Sequence, residues 1–240
     1  MSQSKSEPMS REMEILRRVP LFAEMPTPAL AALAARLRRR RLPAGTPVVY
    51  KGDPAGALYL IASGRVKVHE ATTRGDEVIL EVMGPGEFFG EMSLLDGQPR
   101  SADVSTLEPS ELLLLEGDAL RETLTGHPAV AWTLLRILSQ RLRDQNDRAS
   151  ILMTRDVAGR VADRLLGLAR SQGTLLPDGK SIRIDVPLTQ SDIAALIGAT
   201  RERVSRALTA FRASGAIRWD RDAARWIILD RKALEKRAQM

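Results

Sequence analysis

Glu202, Ser205 and Arg206 follow Arg201 by one, four and five positions, which sets the four on one side of a helix. An arginine on such a side can bond guanine O6 and N7 together, and a glutamate can accept from cytosine N4. Thr209 and Arg212 continue the arc at about 100° per residue, whereas Val204, Ala207, Leu208 and Phe211 fall opposite and must pack inward. The chemistry on offer is recognition of base edges in double-stranded DNA, each good bidentate pair contributing about 1–3 kcal/mol of discrimination.

A second constellation lies upstream. Gly90-Glu91 is followed at Arg100-Ser101-Ala102 by a permanently charged, planar donor fork and a hydroxyl. Gly90 permits close backbone approach at the start of a short helix whose free N–H groups suit an anion. Arg100 and Ser101 can bind a phosphate, and Glu91 can accept from a ribose hydroxyl. A cyclic nucleotide needs these functions together. Glycines at 84, 86 and 90 miss the dinucleotide-binding spacing, and no βαβ unit surrounds them.

The elements that must position these residues can be read outward from them. Thr189 with Asp192 matches a capping box that opens one helix, Gly198 supplies a turn, and Thr200 caps a second helix. Ile217-Arg218-Trp219 and Arg225-Trp226-Ile227-Ile228, joined by Asp220-Arg221-Asp222, read as a two-stranded wing. Thr154-Arg155-Asp156 caps a preceding helix through Arg170, with Val157, Val161, Leu165 and Leu168 as its core stripe. The turn Pro177-Asp178-Gly179 and a strand over Ser181–Val186 follow.

Between Leu42 and Gly117, short stretches rich in β-branched residues alternate with Gly, Pro and Asp turns. The stretches are 47–50, 57–61, 65–71, 77–83, 101–106 and 111–116, with Arg74-Gly75-Asp76 among the turns. This spacing predicts an antiparallel sandwich or barrel. Helices are predicted over 14–22 and 28–41, the latter ending in the basic run Arg38–Arg41 as a solvated helix end. Pro128–Met153 reads as a long helix with Leu135, Leu138, Leu142, Ala149 and Leu152 at three-four spacing. That seam predicts a homodimer, and its polar break at Gln145-Asn146 predicts register selection or a ligand contact.

Charge divides unevenly. Residues 155–240 carry 17 Lys+Arg against 10 Asp+Glu, and the first 154 carry 19 against 20. The basicity belongs to the segment holding Arg201 and Arg206, the expected footprint of a polyanion-binding module. There is no cysteine, which excludes disulfides, thiolate zinc sites and Cys-ligated clusters. The two histidines, His69 and His127, are far apart; His69 is expected to face solvent beside Lys67. No metal, haem or iron–sulfur cluster is therefore expected. No run reaches the roughly 18 apolar residues of a spanning helix, and the polar start MSQSKSEPMSREMEILRR has no apolar signal core, so no membrane association and a cytoplasmic protein are expected. Absence of a metal-binding His cluster, a Gly-x-Ser-x-Gly elbow and a P-loop argues against an enzyme.

Two segments carry a family resemblance. Thr200-Arg201-Glu202-Arg203-Val204-Ser205-Arg206 is similar to the recognition helix of the Crp/Fnr superfamily of bacterial regulators, the cyclic-AMP receptor protein type. Phe88-Phe89-Gly90-Glu91-Met92-Ser93-Leu94-Leu95-Asp96-Gly97-Gln98-Pro99-Arg100-Ser101-Ala102 resembles its phosphate-binding cassette, one residue shorter than in the best-known member. The resemblance implies an α+β chain with a jelly-roll-like cyclic-nucleotide-binding β-roll over 1–127, a dimerisation helix over 128–153 and a winged helix-turn-helix over 154–240. It implies cyclic AMP as effector, held by Gly90, Glu91, Arg100 and Ser101, with Gln145 and Asn146 where cAMP-responsive members place a Thr-Ser pair. It implies a TGTGA-like palindrome read by Arg201, Glu202 and Arg206, with Thr200 and Ser205 alongside and Arg203, Arg212 and Arg218 on phosphates. A contact with RNA polymerase is implied near Pro177-Asp178-Gly179. A different cyclic nucleotide or no ligand stays open, as does, more remotely, a regulatory subunit acting by protein contacts.

Overall fold

The computed structural model describes residues 10–73 and 75–239. The polar start at 1–9 and Arg74 of the turn at 74–76 lie outside the described residues. Two compact units emerge, one of residues up to 67 and from 83 to 141, the other of 68–82 and the chain from 142 onward.

In the first unit α1 (Arg11–Arg18) is capped by Ser10, whose hydroxyl accepts from the Met13 N–H. Then come α2 (Thr27–Ala34), β1 (Arg38–Leu42), β2 (Pro47–Val49) and β3 (Ala57–Ser63). The hairpin strands β4 (Val66–Ala71) and β5 (Glu77–Met83), most of whose residues belong to the second unit, lead to β6 (Phe88–Phe89), the short helix α3 (Glu91–Asp96), β7 (Asp103–Thr106) and β8 (Ser110–Glu116). Helix α4 (Gly117–Gly126) and the long helix α5 (Pro128–Thr154) complete this half of the chain. One sheet has the order β1-β8-β3-β6 and the other β2-β7-β4-β5, as expected of an antiparallel β-domain. Leu58, Leu60, Leu113 and Leu115 from the β3–β8 pair meet Leu16, Phe22 and Leu30 from the helical start, with Leu120 of α4 and Val130 and Leu134 of α5. Burying such side chains supplies about 1.5–3 kcal/mol each, before conformational entropy is set against it.

Several sequence expectations give way here. Helix α1 ends at Arg18, and the helical stretch expected to reach Arg41 stops at Ala34. Arg38–Arg41 is a strand, paired residue by residue with Leu114 down to Glu111. Long aliphatic stems suit a helix, but the carboxylate of Glu111 decides the outcome, because it meets Arg41 at 2.9 Å, Arg11 at 3.3 Å and Arg39 at 3.5 Å while only 7% exposed. His69 does not face solvent; its Nδ1 lies 3.3 Å from Glu77 Oε2 across the hairpin. Leu138, expected on a partner-facing seam, packs with Ile137 against the unit's own core. The short strand β6 was not foreseen.

The second unit holds α6 (Val157–Gln172), β9 (Gly173–Leu175), β10 (Ile182–Ile184), α7 (Gln190–Ile197) and α8 (Arg201–Ala213). The strands β11 (Ile217–Asp220) and β12 (Arg225–Ile228) and the last helix α9 (Arg231–Ala238) close it. Its sheet runs β11-β12-β10-β9, with Trp219 and Trp226 in edge contact at 4.8 Å. Val161, Leu165 and Leu168 of α6 are buried as their period requires. Val157 is only half-buried, because it lines a groove described below. Strand β9 carries a weak local signal and was missed; helix α9 was missed although Asp230 caps its start and Lys236 and Arg237 lie in its last turn.

Candidate functional site

Strand β6 ends at Phe89, and the chain turns into α3 through Gly90 at φ 87°. Two physical facts require glycine there. A left-handed φ strains any residue with a Cβ. A Cβ built at this position would lie 2.4 Å from Arg100 Nη1 and 3.1 Å from the Ala57 carbonyl.

Arg100 fills the space that Gly90 leaves. Its Nη1 donates to the Gly90 carbonyl at 2.8 Å and its Nη2 to the Ala57 carbonyl at 2.7 Å. Its guanidinium carbon lies 5.7 Å from the centroid of the Tyr59 ring, and Tyr59 stacks on Phe89 at 4.9 Å with planes 2° apart. The backbone is gripped as well, the Arg100 N–H donating to the Asp53 carbonyl at 2.8 Å and the Gly52 N–H to the Arg100 carbonyl at 2.9 Å. The side chain is buried, and its Nε has no hydrogen-bond partner. Burial draws the pKa of Arg100 below the usual arginine value, opposed by Tyr59, Asp53 and Glu91. A buried cation with an unused N–H suits an anion.

Glu91 is only 4% exposed. Its Oε1 accepts from Arg141 Nη1 at 2.7 Å, and Arg141 Nη2 donates to the Phe88 carbonyl at 2.7 Å. The Arg141 guanidinium also lies 4.7 Å from the Phe88 ring centroid. The structure thus brings Gly90, Glu91 and Arg100 together and adds Arg141, Tyr59 and the Ala57 carbonyl, which the sequence reading did not single out. The spacing sets Arg141 one turn before Gln145 on the same face of α5, but nothing in it says that this face meets Glu91. Ser101 is exposed at the end of the cassette loop. Gln145 and Asn146 are exposed on the part of α5 that belongs to the second unit. Along α5, Trp132, Leu135, Leu142, Leu152 and Met153 are also exposed.

In the second unit, the Thr189 hydroxyl accepts from the Asp192 N–H, and the Asp192 carboxylate accepts from the Thr189 N–H at 2.8 Å. Gly198 sits at φ 61° and Thr200 caps α8. The two faces of α8 separate as the periodicity requires. Val204, Ala207, Leu208 and Phe211 are buried, and Arg201, Glu202, Arg203, Arg206, Thr209 and Arg212 are exposed with Ser205 half-buried between them. A hydrogen bond from its own backbone N–H, then the Thr200 hydroxyl, holds the Glu202 carboxyl below the usual carboxylate range, with Arg201 and Arg206 adding to the effect. A groove of about 450 Å³ runs between the first turn of α6 and α8, lined by Asp156, Val157, Ala158, Arg203, Arg206 and Ala207. Asp156 caps α6 by accepting from the Gly159 N–H at 2.8 Å and also receives Arg237 from α9. Arg218 is exposed on the wing. Asp178 forms a tight turn, accepting from the Lys180 and Ser181 N–H groups and the Ser181 hydroxyl.

Among the described residues no three His, Asp or Glu side chains gather as a metal ion would need, and no helix is long and apolar enough to cross a membrane.

Comparison with known proteins agrees with both halves. Residues 39–127 match the cyclic nucleotide-binding domain family and residues 159–237 the Crp-like helix-turn-helix domain family. The chain is 38% identical to the CRP-like cAMP-activated global transcriptional regulator of Mycobacterium tuberculosis, over 94% of its own length and 99% of that protein's. It is 38% identical to the cyclic AMP receptor protein of Thermus thermophilus, over 83% of this chain and 88% of that one. The fold is similar to that of the c-di-GMP-responsive global regulator CLP of Xanthomonas campestris, with a TM-score of 0.71, 26% identity, and coverage of 85% of this chain and 99% of the other.

Proposed function

The chain belongs to the Crp/Fnr family of bacterial transcription regulators, and from that premise we propose that it is a dimeric, cyclic-AMP-responsive reader of a TGTGA-like palindrome. The observation that carries the sensor is Arg100, a buried guanidinium with an unpartnered Nε beside Gly90 and Glu91. A cyclic nucleotide supplies a phosphate anion and a ribose hydroxyl. Arg100 and Ser101 hold the former, and Glu91, held in place by Arg141, accepts from the latter. Gln145 and Asn146 present amides suited to a purine. Cyclic AMP is favoured because the relatives from Mycobacterium and Thermus are named for it.

The reader is α8. Thr200 opens it, Arg201, Glu202 and Arg206 read base edges with Ser205 alongside, and Arg203, Arg212 and Arg218 hold phosphates. A helix of this kind uses its N-terminal turns in the major groove, where Arg201 and Glu202 stand. Two copies joined along the exposed apolar residues of α5 place their heads about 34 Å apart on a two-fold site. The rigid turn at Asp178 is offered as an RNA polymerase contact. The setting is cytoplasmic, and regulation by binding, not catalysis, is the activity. The ligand acts by binding the DNA-competent state more tightly, a population shift.

A second reading keeps the reader and changes the effector, since the Xanthomonas regulator is described as c-di-GMP-responsive. Fluorescence anisotropy of a labelled TGTGA-N6-TCACA duplex at fixed salt separates the two, with cyclic AMP, c-di-GMP or no nucleotide added. Tightening by cyclic AMP alone supports the proposal. Tightening by c-di-GMP alone moves the effector, and no preference over a scrambled duplex refutes the reading face.

A further inference from the structure

Strand β5 is an outer strand of its sheet, so every second carbonyl along one side has no strand to pair with. Residues 80 and 82 point their carbonyls the same way, and side chains from two different helices take them. The Leu80 carbonyl accepts from Arg148 Nη1 of α5 at 2.9 Å, and the Val82 carbonyl accepts from Gln172 Nε2 at the end of α6, also at 2.9 Å. Between them stands Glu81. Its two carboxylate oxygens take the Arg148 fork at 2.9 and 2.5 Å, and Arg164 Nη2 of α6 lies 4.0 Å away.

Arg164 keeps only 15% of its side-chain surface, and its Nε and Nη2 have no hydrogen-bond partner. Burial first and the Arg148 charge second pull its pKa down to about 10, while Glu81 and Asp163 resist the shift. The carboxylate of Glu81 is therefore shared by one arginine from each helix. These helices flank the bend at Arg155-Asp156, and α8 packs on α6 beyond it. Arg155 also spans the bend, donating to Asp163 of α6 at 2.9 Å.

We infer that Glu81 is a positioning residue for DNA recognition, clasping the end of α5 to α6 and so fixing the angle at which α8 is presented. The inference rests on the reading of α8 as the DNA-reading helix. Glu81 touches no base or phosphate; it acts through Arg148 and Arg164. Loss of the carboxylate leaves two neighbouring cations repelling each other, one of them buried, and the bend is no longer held.

The test uses the full chain. Hydrogen exchange is measured on wild type, Glu81→Gln and the milder Arg148→Gln, without nucleotide or DNA, and duplex affinity is measured on the same variants with and without the cyclic nucleotide that tightens wild-type binding. The expected result is exchange about tenfold faster at amides 152–159 in both variants, unchanged exchange in α7 and α8, and duplex affinity lowered about tenfold. The charge-reversed pair Glu81→Arg with Arg148→Glu restores affinity in part, which general destabilisation does not predict. Unchanged exchange at the bend overturns the clasp. A loosened bend with unchanged duplex affinity overturns the positioning role. Failure of wild type to prefer the palindrome over a scrambled duplex sinks the reading of α8 instead, and the exchange result still decides the clasp.

Discussion

Glu91 and Arg141 are 50 residues apart in the chain and 2.7 Å apart in space, one on a six-residue helix and the other on the long helix α5. The acid is buried and the base about one-third exposed, so the pair is asymmetric in solvent as well as in charge. Removing the exposed partner strands the buried one. Arg141→Ala is expected to destabilise the protein by about 2–3 kcal/mol, below the 3–5 kcal/mol of a fully buried pair because water reaches the arginine. A urea titration at neutral pH reads this as a lowered midpoint at unchanged slope.

Gly90→Ala adds one carbon and costs more than one carbon. The left-handed φ strains the new residue by roughly 1–2 kcal/mol, and its Cβ drives into the Arg100 guanidinium. Nucleotide affinity measured by calorimetry should fall at least tenfold, while non-specific duplex binding is retained. Arg100→Ala should give the same pattern through loss of the charge alone. Equal nucleotide affinity in wild type and Gly90→Ala would show that Arg100 is not the phosphate ligand.

The exposed arginines of α8 should divide into two kinds. Arg206→Ala is expected to relax discrimination at one base pair by about 1–3 kcal/mol. Arg203→Ala should weaken all duplexes alike and reduce the slope of log affinity against log salt by about one. Anisotropy titrations over several salt concentrations, on matched and single-mismatch duplexes, separate them. The same loss of discrimination in both variants would remove the distinction.

Asp178 offers a check on pH. Hydrogen bonds from Ser181 Oγ–H first, then from the Lys180 and Ser181 N–H groups, hold its carboxyl at about 2. A depressed value means the turn's contribution is complete above the ordinary aspartate value of 3.8 and is lost as pH falls from there towards 2. Carboxyl-carbon NMR should show Asp178 titrating near the lower figure, and Ser181→Ala should move it upward. An ordinary titration in wild type would dispose of the turn as a rigid feature.

The helix-turn-helix was legible because its signals are local. Thr189 with Asp192, Gly198 and Thr200 each act within four residues, and the buried set from Val204 to Phe211 follows one helical period. Arg38–Arg41 was illegible for the opposite reason. Nothing in four consecutive arginines announces a strand; the identity comes from pairing with β8 and from Glu111, about 70 residues away. The cassette lay between these cases. Gly90, Glu91 and Arg100 could be picked out by chemistry, but Arg141 could not, because a helical period marks a face and does not say what will meet it. The hairpin told a similar story at His69, where Glu77, not Lys67 beside it, determined the surroundings.

Asp156 opens α6 and Arg237 lies near the close of the last helix, and the ion pair between them brings the two ends of the helix-turn-helix segment side by side. A segment whose start and finish are neighbours can be cut from one gene and seated in another with little rearrangement of the host chain. The reading head is in that sense a portable part, but its seat in a new host must supply a carboxylate for the buried Arg164, as Glu81 of β5 does here.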